Sequence, residues 1–457
     1  MVLVFVSLTG GNTSRLQEIT MIRKALVGGA AVAAMTLSLT GTSFAGYDVN
    51  SRIDALENEL RELKAQMQMR DGKLAALEEA SSGLADMPVF DSHKLMISSR
   101  DGNWSIRFGG RLMLDAFYAE ADRAGGISTD GVGAEIRRAR FFASGKVAGD
   151  WKYKLQIDFA SNAVSIKTAT ISTKIAGLTA IFGNDKEPMG LEELTSSKYI
   201  TFMERSMVND TFAPGRNLGA SIGMGDDNYS VRAGLYTNGI DNGSDAGSTD
   251  WALTGRVTYA PIAEKTEVVH LGLSGSIREF SDDTGPRIRL RNFHNGTQYV
   301  STAAGGMPAE SQSTIGAEAA AVFGPFSAQG EYYTSTLEGV SGTGAADVDF
   351  DGWYVMASYF VTGESRAYSA SNGAFSRVKS EGAVELAARY EVIDMEDVGF
   401  GTDASETTAW TLGVNYYFNP YVRAMLNYGS AEYDFTTAAG AADTEVDFIG
   451  SRLQLDF

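Results

Sequence analysis

Arg287-Ile288-Arg289-Leu290-Arg291 packs three guanidiniums into five residues. On an extended backbone alternate side chains share a face, so these three would form a short ladder of positive charge. Each planar fork donates paired hydrogen bonds, which suits carboxylate or phosphate oxygens. A solvated loop tip answering Asp282 and Asp283 is the competing reading of the same run. Further cations alternate elsewhere. Arg138, Arg140 and Lys146 fall on one face of a segment, and Lys152 and Lys154 on one face of the next. Arg137 takes the opposite face, so the arginine row is not cleanly one-sided. The stretch 185–216 adds Lys198, Arg205 and Arg216 with Lys186, against Asp185, Glu187, Glu192, Glu193, Glu204 and Asp210. Weak anion sites in series permit both entry and exit, which is what conduction requires.

Other chemistries find no support. Cysteine is absent, which removes disulfides and thiolate metal sites. The three histidines, His93, His270 and His294, are scattered and lack a nucleophile motif beside them. No catalytic residue, metal ligand or cofactor is therefore assigned. The glycine-rich piece 240–248 lacks the strand–helix context of a phosphate cradle and reads as a turn. A formal net charge of −19 argues against a nucleic-acid partner. It leaves ion selectivity open, because salt screens charges beyond roughly 8 Å and only lining groups act at that range.

What must position these residues is a set of strands. Trp151, Tyr153, Leu155, Ile157 and Phe159 alternate with Lys152, Lys154, Gln156 and Asp158. Trp410, Leu412, Val414, Tyr416 and Phe418 alternate with Thr411, Gly413, Asn415 and Tyr417. Each segment has one apolar and one polar face. Aromatics collect at segment ends, and the pattern recurs to the chain end with turn signals between, as in membrane barrels. The expected fold is all-β: a transmembrane antiparallel barrel of about 16 strands. The spans are 103–118, 134–148, 151–161, 164–175, 178–184, 217–224, 228–236, 249–260, 266–280, 314–323, 326–336, 349–361, 382–394, 407–418, 421–432 and 446–457. Tight turns such as Gly149-Asp150 and Ala176-Gly177 fall on one side. Long connections such as 119–133, 185–216 and 281–313 fall on the other. Residues 362–381 break this rule, being long on the turn side. In a water-filled barrel, folding 185–216 inward would narrow the passage; an ordinary surface loop is the alternative.

Ahead of the barrel (103–457) come four pieces. Residues 1–20 read as an upstream start-site artefact. Residues 21–45 read as a secretory leader, with basic Arg23-Lys24, an apolar Ala25–Leu39 and Ser43-Phe44-Ala45 at the cleavage site. Residues 46–80 read as a helix in heptad register, with Ile53, Leu60, Met67 and Leu74 at a and Leu56, Leu63 and Leu77 at d. Arg70 fills the remaining d position. The seam implies self-association, with a single helix packed on the barrel as the alternative. Residues 81–102 read as a linker. The chain stops on Phe457 after Leu453 and Leu455, a terminal aromatic on an amphipathic last strand.

Residues 135–219 carry a resemblance. Glu135-Ile136-Arg137-Arg138-Ala139-Arg140, Lys186-Glu187-Pro188, Leu191-Glu192-Glu193-Leu194-Thr195-Ser196-Ser197, Phe202-Met203-Glu204-Arg205 and Phe212-Ala213-Pro214-Gly215-Arg216-Asn217 resemble the phosphate-selective porin family, of the porin O and porin P type. The resemblance implies a 16-stranded trimeric barrel in a Gram-negative outer membrane, in contact with its lipid. It implies inward-folded loops and a basic lining that favours phosphate or related anions, and the 287–291 run is similar in position to the family's arginine ladder. The mixed charge of 185–216 departs from a simple anion trap. A general or cation-preferring diffusion porin is the first alternative. A structural envelope tether is the second, though the helix reaches only about 45 Å at 1.5 Å per residue.

Overall fold

The computed structural model describes residues 49–85, 88–92, 94–123, 127–237, 239, 250–280, 289–290, 293, 300–301, 309–340, 347–395, 404–435 and 443–457. Two compact units divide after Leu84. The first is helix α1, Val49–Ala85, built mostly from strong helix formers. Every residue from 50 to 77 is exposed, the leucines of the heptad seam included. Among the described residues no helix is long and apolar enough to cross a membrane. The leader expected at 21–45 lies outside the described residues, as does the segment 1–20.

The second unit begins with a correction. The stretch expected as a linker, 81–102, holds the end of α1 and an antiparallel hairpin of β1 (Val89–Asp91) and β2 (Met96–Ser98). Three-residue strands are too short to show a period. They form because the first barrel strand extends past the end of the last one, leaving Ser105–Arg107 unpaired on one edge, and β2 fills that edge.

Sixteen strands follow, one for each expected span. They are β3 (Ser105–Arg123), β4 (Ile127–Val147), β5 (Trp151–Asp158), β6 (Ser165–Ile175), β7 (Leu178–Lys186), β8 (Arg216–Gly225), β9 (Tyr229–Thr237), β10 (Trp251–Ala263) and β11 (Glu267–Glu279). After a small hairpin, β12 (Arg289–Leu290) with β13 (Val300–Ser301), come β14 (Ser311–Phe323), β15 (Phe326–Glu338) and β16 (Asp347–Phe360). A second hairpin, β17 (Tyr368–Ser369) with β18 (Ala374–Phe375), precedes β19 (Ala383–Asp394), β20 (Ala404–Asn419), β21 (Val422–Phe435) and β22 (Thr444–Asp456). Neighbours pair antiparallel, and β22 pairs back onto β3 from Thr444↔Arg123 to Asp456↔Arg111. That closure removes the sheet edges, the condition for a strand protein to cross hydrocarbon.

Burial runs opposite to that of a water-soluble barrel. On β22, Arg452, Gln454 and Asp456 are buried while Ile449, Leu453 and Leu455 are exposed. On β20 the exposed series is Trp410, Leu412, Val414, Tyr416 and Phe418, aromatic at both ends. On β16 it is Trp353, Val355 and Tyr359. An outward apolar band flanked by aromatic girdles is what a lipid-embedded barrel presents. Beyond the Trp353–Trp410 level the outward face turns acidic, with Asp347, Asp349, Glu406, Glu432, Asp434, Glu445 and Asp447 exposed. The acidic excess of the sequence is thus placed in part on the outside.

Connections sort by side as the parity reading expects. Ala176-Gly177 has positive φ at both residues, the geometry that lets a two-residue turn match strand twist, and Ala148-Gly149 has the same within the three-residue turn 148–150. One long connection shrinks: 119–133 is strand on both sides, with β3 reaching Arg123 and β4 starting at Ile127. Its outward Glu120 and Asp122 resemble loop composition because the ladder continues above the apolar band, where polar outward residues are favoured.

Candidate functional site

β7 ends at Lys186 and β8 starts at Arg216, and the chain between them runs inside the barrel. Two short helices shape it, α2 (Leu191–Leu194) and α3 (Met207–Phe212). Apolar residues secure it: Met189, Leu191, Ile200, Phe202, Met203, Met207 and Phe212 are buried. Phe212 stacks on Tyr333 at 5.6 Å and Phe350 at 5.1 Å, both inward residues of the wall. Gly190 adopts φ 78, and a Cβ there would meet the Tyr333 hydroxyl, so glycine is required at the bend.

Polar anchors fix the rest. Glu331 accepts from the backbone N–H of Leu191 (2.9 Å) and of Glu192 (2.7 Å), and Glu391 accepts from that of Met207 (2.6 Å). Arg205 donates back to the carbonyls of Glu192 (2.8 Å) and Thr195 (2.8 Å). Glu204 receives Arg137 (3.0 Å), Arg138 (2.9 Å) and Arg452 (2.6 Å). Burial pushes the Glu204 carboxyl up, but the three guanidiniums overcome it and hold it well below the usual range. Burial likewise opposes charge on Glu193, yet Arg205, Lys186 and Arg216 bring its carboxyl down to about 2. Arg137 and Arg138 both reach Glu204 because the β3–β4 ladder shifts register after Met113↔Arg138, which makes Arg137 the extra residue of a bulge.

Residues 361–382 close in from the tight-turn side. Arg366 donates to Gln329 (2.7 Å) and lies 3.6 Å over the Phe375 ring. Arg256 donates to the Gly373 carbonyl (2.7 Å), and Arg377 is bonded to Asp456 and to the Pro420 carbonyl. Lys198 of the first inner segment pairs with the same Asp456 at 3.3 Å, so one carboxylate ties both segments.

Between the two lies a cavity of about 670 Å³. Arg111, Arg138, Arg140, Lys154, Lys174, Lys186, Arg205, Arg216, Arg232 and Arg256 line it, with Asp185 as the one carboxylate among its described lining residues. Half of those cations have a carboxylate partner: Arg138 has Glu204, Arg140 has Asp158, Lys186 and Arg205 share Glu193, and Arg256 has Glu318. Arg111, Lys154, Lys174, Arg216 and Arg232 have no ion pair among the described residues. Arg111 is held by the Ser197 hydroxyl at 2.6 Å, and the Arg216 Nε is buried without an acceptor.

Of the residues expected to line a passage, Arg138, Arg140, Lys154, Arg205 and Arg216 meet here. Two do not. Lys198 lines a separate crevice with Tyr199, Arg377 and Asp456. Lys152 sits opposite Lys146 near the β4–β5 turn, exposed and away from the waist, because the turn residues Ala148–Asp150 closely precede it. Arg287 and Arg291 lie outside the described residues, and only the backbone of Arg289 is described, in β12. Leu290 between them is buried, and Phe293 stacks on Phe448 at 5.2 Å. Arg111, Lys174 and Arg232 escape sequence reading, since none has a second cation two residues away on its strand; only alternation with outward apolar neighbours marks them.

No set of three His, Cys, Asp or Glu side chains among the described residues could hold a metal ion. His270 is fully buried with its Nε2 2.8 Å from Glu318, a packing role; His93 and His294 lie outside the described residues. A larger concavity, about 1000 Å³, includes outward Leu271, Ala319, Trp353, Val355 and Leu412, and so faces hydrocarbon. The waist is a chamber of about 670 Å³ with fixed positive charge on its lining.

A family model described as phosphate-selective porin O and P matches residues 106–457. Porin O of Pseudomonas aeruginosa is 29% identical over 419 residues, covering 82% of this chain and 93% of that protein. An uncharacterized protein of Caulobacter vibrioides is 27% identical over 499 residues, covering 98% of this chain and 99% of its own. Among solved structures, an anion-selective porin from Comamonas acidovorans aligns with TM-score 0.49 and 14% identity, over 78% of this chain and 100% of that one.

Proposed function

The chain belongs to the phosphate-selective porin O and P family and is therefore an outer-membrane porin, and we propose that its passive pore passes small anions, phosphate or related oxyanions first among them. It is a channel and not an enzyme. The observation that carries the anion reading is the waist: ten Arg and Lys side chains against Asp185, five of them without an ion pair among the described residues. In a narrow low-dielectric constriction, fixed cations raise the local concentration of anions and repel cations. Arg111 and Arg216 supply guanidinium forks suited to phosphate oxygens, and Lys154 supplies a point charge. Phosphate or related anions are the solute partners of this reading. Family membership also favours a homotrimer contacting outer-membrane lipid, with export directed by residues 21–45 and cleavage after Ala45. No cofactor enters the mechanism.

A cation-preferring channel is the rival that the −19 net charge suggests. Lining, however, outweighs total charge at channel dimensions. Reversal potentials of the purified protein in planar bilayers across a potassium chloride gradient decide between them. Anion preference, with chloride current blocked by added phosphate, is expected; cation preference overturns the proposal. Lys154→Glu combined with Arg216→Glu should shift the reversal potential toward the cation side.

A further inference from the structure

Helix α1 displays a heptad seam whose apolar residues stand exposed along the helix. Ile53 (48% exposed), Leu60 (57%) and Met67 (50%) at a, and Leu56 (60%) and Leu63 (61%) at d, all face solvent. A helix of this length keeps such a stripe only when something covers it, since tertiary or quaternary packing supplies most helical stability. We infer that the cover is the same helix from other copies of this chain, wound parallel and in register into a coiled coil.

Charge at the flanking positions selects that arrangement. With Ile53 at a, the g positions are Arg52 and Glu59, and the e positions five residues on are Glu57 and Lys64. Parallel in-register helices bring each g against the following e of the neighbour. Arg52 then meets Glu57, and Glu59 meets Lys64, opposite signs both times. Arg52 and Glu57 also flank the Ile53–Leu56 layer, so the arginine methylenes cover its apolar edge. A fully overlapped antiparallel pair brings e against e instead. That sets Lys64 against Lys64 and Glu57 against Asp71, like signs both times, while its g-to-g contacts return a single favourable pairing, Glu59 with Lys73, so the parallel arrangement is the better matched. Copies inserted in one membrane also share a direction, which a parallel bundle satisfies. Arg70 at d is the one layer that resists burial, and a single polar layer of this kind fixes register at a cost in stability. This assignment is independent of which ions the pore passes.

The test uses the whole mature protein in membranes, where the lack of native cysteine makes single substitutions unambiguous. Facing a positions in a parallel coil bring their Cα atoms within the roughly 4.4–6.8 Å that a disulfide spans, whereas f positions point away. Leu60→Cys should cross-link into covalent dimers on mild oxidation, at least about fivefold more than Asn58→Cys or Ala65→Cys at f. Equal, low yields at all three positions overturn the proposal and indicate a helix packed on something else. Cross-linking of Leu60→Cys only when mixed with Arg70→Cys overturns it in favour of antiparallel pairing. In the Leu60→Cys background, Lys64→Glu should lower the yield and Glu59→Lys added to it should restore the yield. No restoration sinks the assigned register even where the seam survives. The anion-selectivity measurement is separate, so failure of either reading leaves the other standing.

Discussion

Glu204 shows how much one side chain organises at the waist. It lies inside the barrel and binds Arg137, Arg138 and Arg452, of which Arg452 is wholly buried and also grips Asp115 at 2.6 Å. Removing one partner of a buried ionic group leaves the others uncompensated, which costs about 3–5 kcal/mol. Glu204→Gln should therefore lower the unfolding free energy measured by urea titration in detergent by about 3–5 kcal/mol. The pH dependence has a definite sign. The folded carboxyl lies well below its ordinary 4.5, so its contribution is fully present above about 4.5 and is lost as pH falls through the folded value. The gap between wild type and Glu204→Gln should be flat from neutral pH to about 4.5 and should narrow only below it. A gap that grows on acidification would assign the clamp to other groups. Sequence reading found the charges of this network but read them as a mixed loop. Their pairing joins residues from 115 to 452, and such long-range partners leave no local pattern. The same limit hid Arg111, Lys174 and Arg232, whereas Lys154 was legible because Lys152 and the apolar Trp151–Ile157 series announced its face.

At the scale of elements, strands were legible and inner segments only partly so. A side-chain period of two is enforced by hydrocarbon on one side and water on the other, so each of β3–β11, β14–β16 and β19–β22 writes itself into local sequence. The short β1–β2 hairpin has no room for a period and depends on the vacant edge of β3. Residues 361–382 showed only that they were too long for a turn. Their inward course rests on single contacts, Arg256 to the Gly373 carbonyl and Arg366 to Gln329, that no periodicity reveals. Because Ser369, Asn372 and Phe375 line the 670 Å³ chamber, this segment narrows the passage along with 187–215. Replacing 364–380 by a four-residue turn should raise single-channel conductance, by about twofold or more if it occupies a comparable share of the opening. Anion preference should persist, since Arg111, Lys154 and Arg216 stay on the wall and first inner segment. Unchanged conductance would mean that the segment lies beside the ion path.

For the molecule as a whole, the puzzle is an acidic protein with a basic waist. The two charges are separated by the wall: cations line the chamber, and carboxylates ring the outside above the aromatic girdle. That ring is unfavourable by itself. Glu445 on β22 stands directly opposite Glu432 on β21 and Asp122 on β3, so it meets like charge on both sides. Directly opposed like charges cost roughly 0.2–1 kcal/mol per pair. Glu445→Gln should accordingly raise barrel stability by up to about 1–2 kcal/mol, summed over both neighbours, most clearly at low salt. The same substitution tests which charges an ion feels. At 0.15 M salt the screening length is roughly 8 Å, so a carboxylate on the outer face should leave the reversal potential unchanged. Lys154→Glu adds no like pair to the outer ring and should do the reverse, moving the reversal potential with little effect on stability. If Glu445→Gln shifted selectivity as strongly as Lys154→Glu, the field in the pore would be set by total charge, and the separation of inner from outer charge would have no functional meaning.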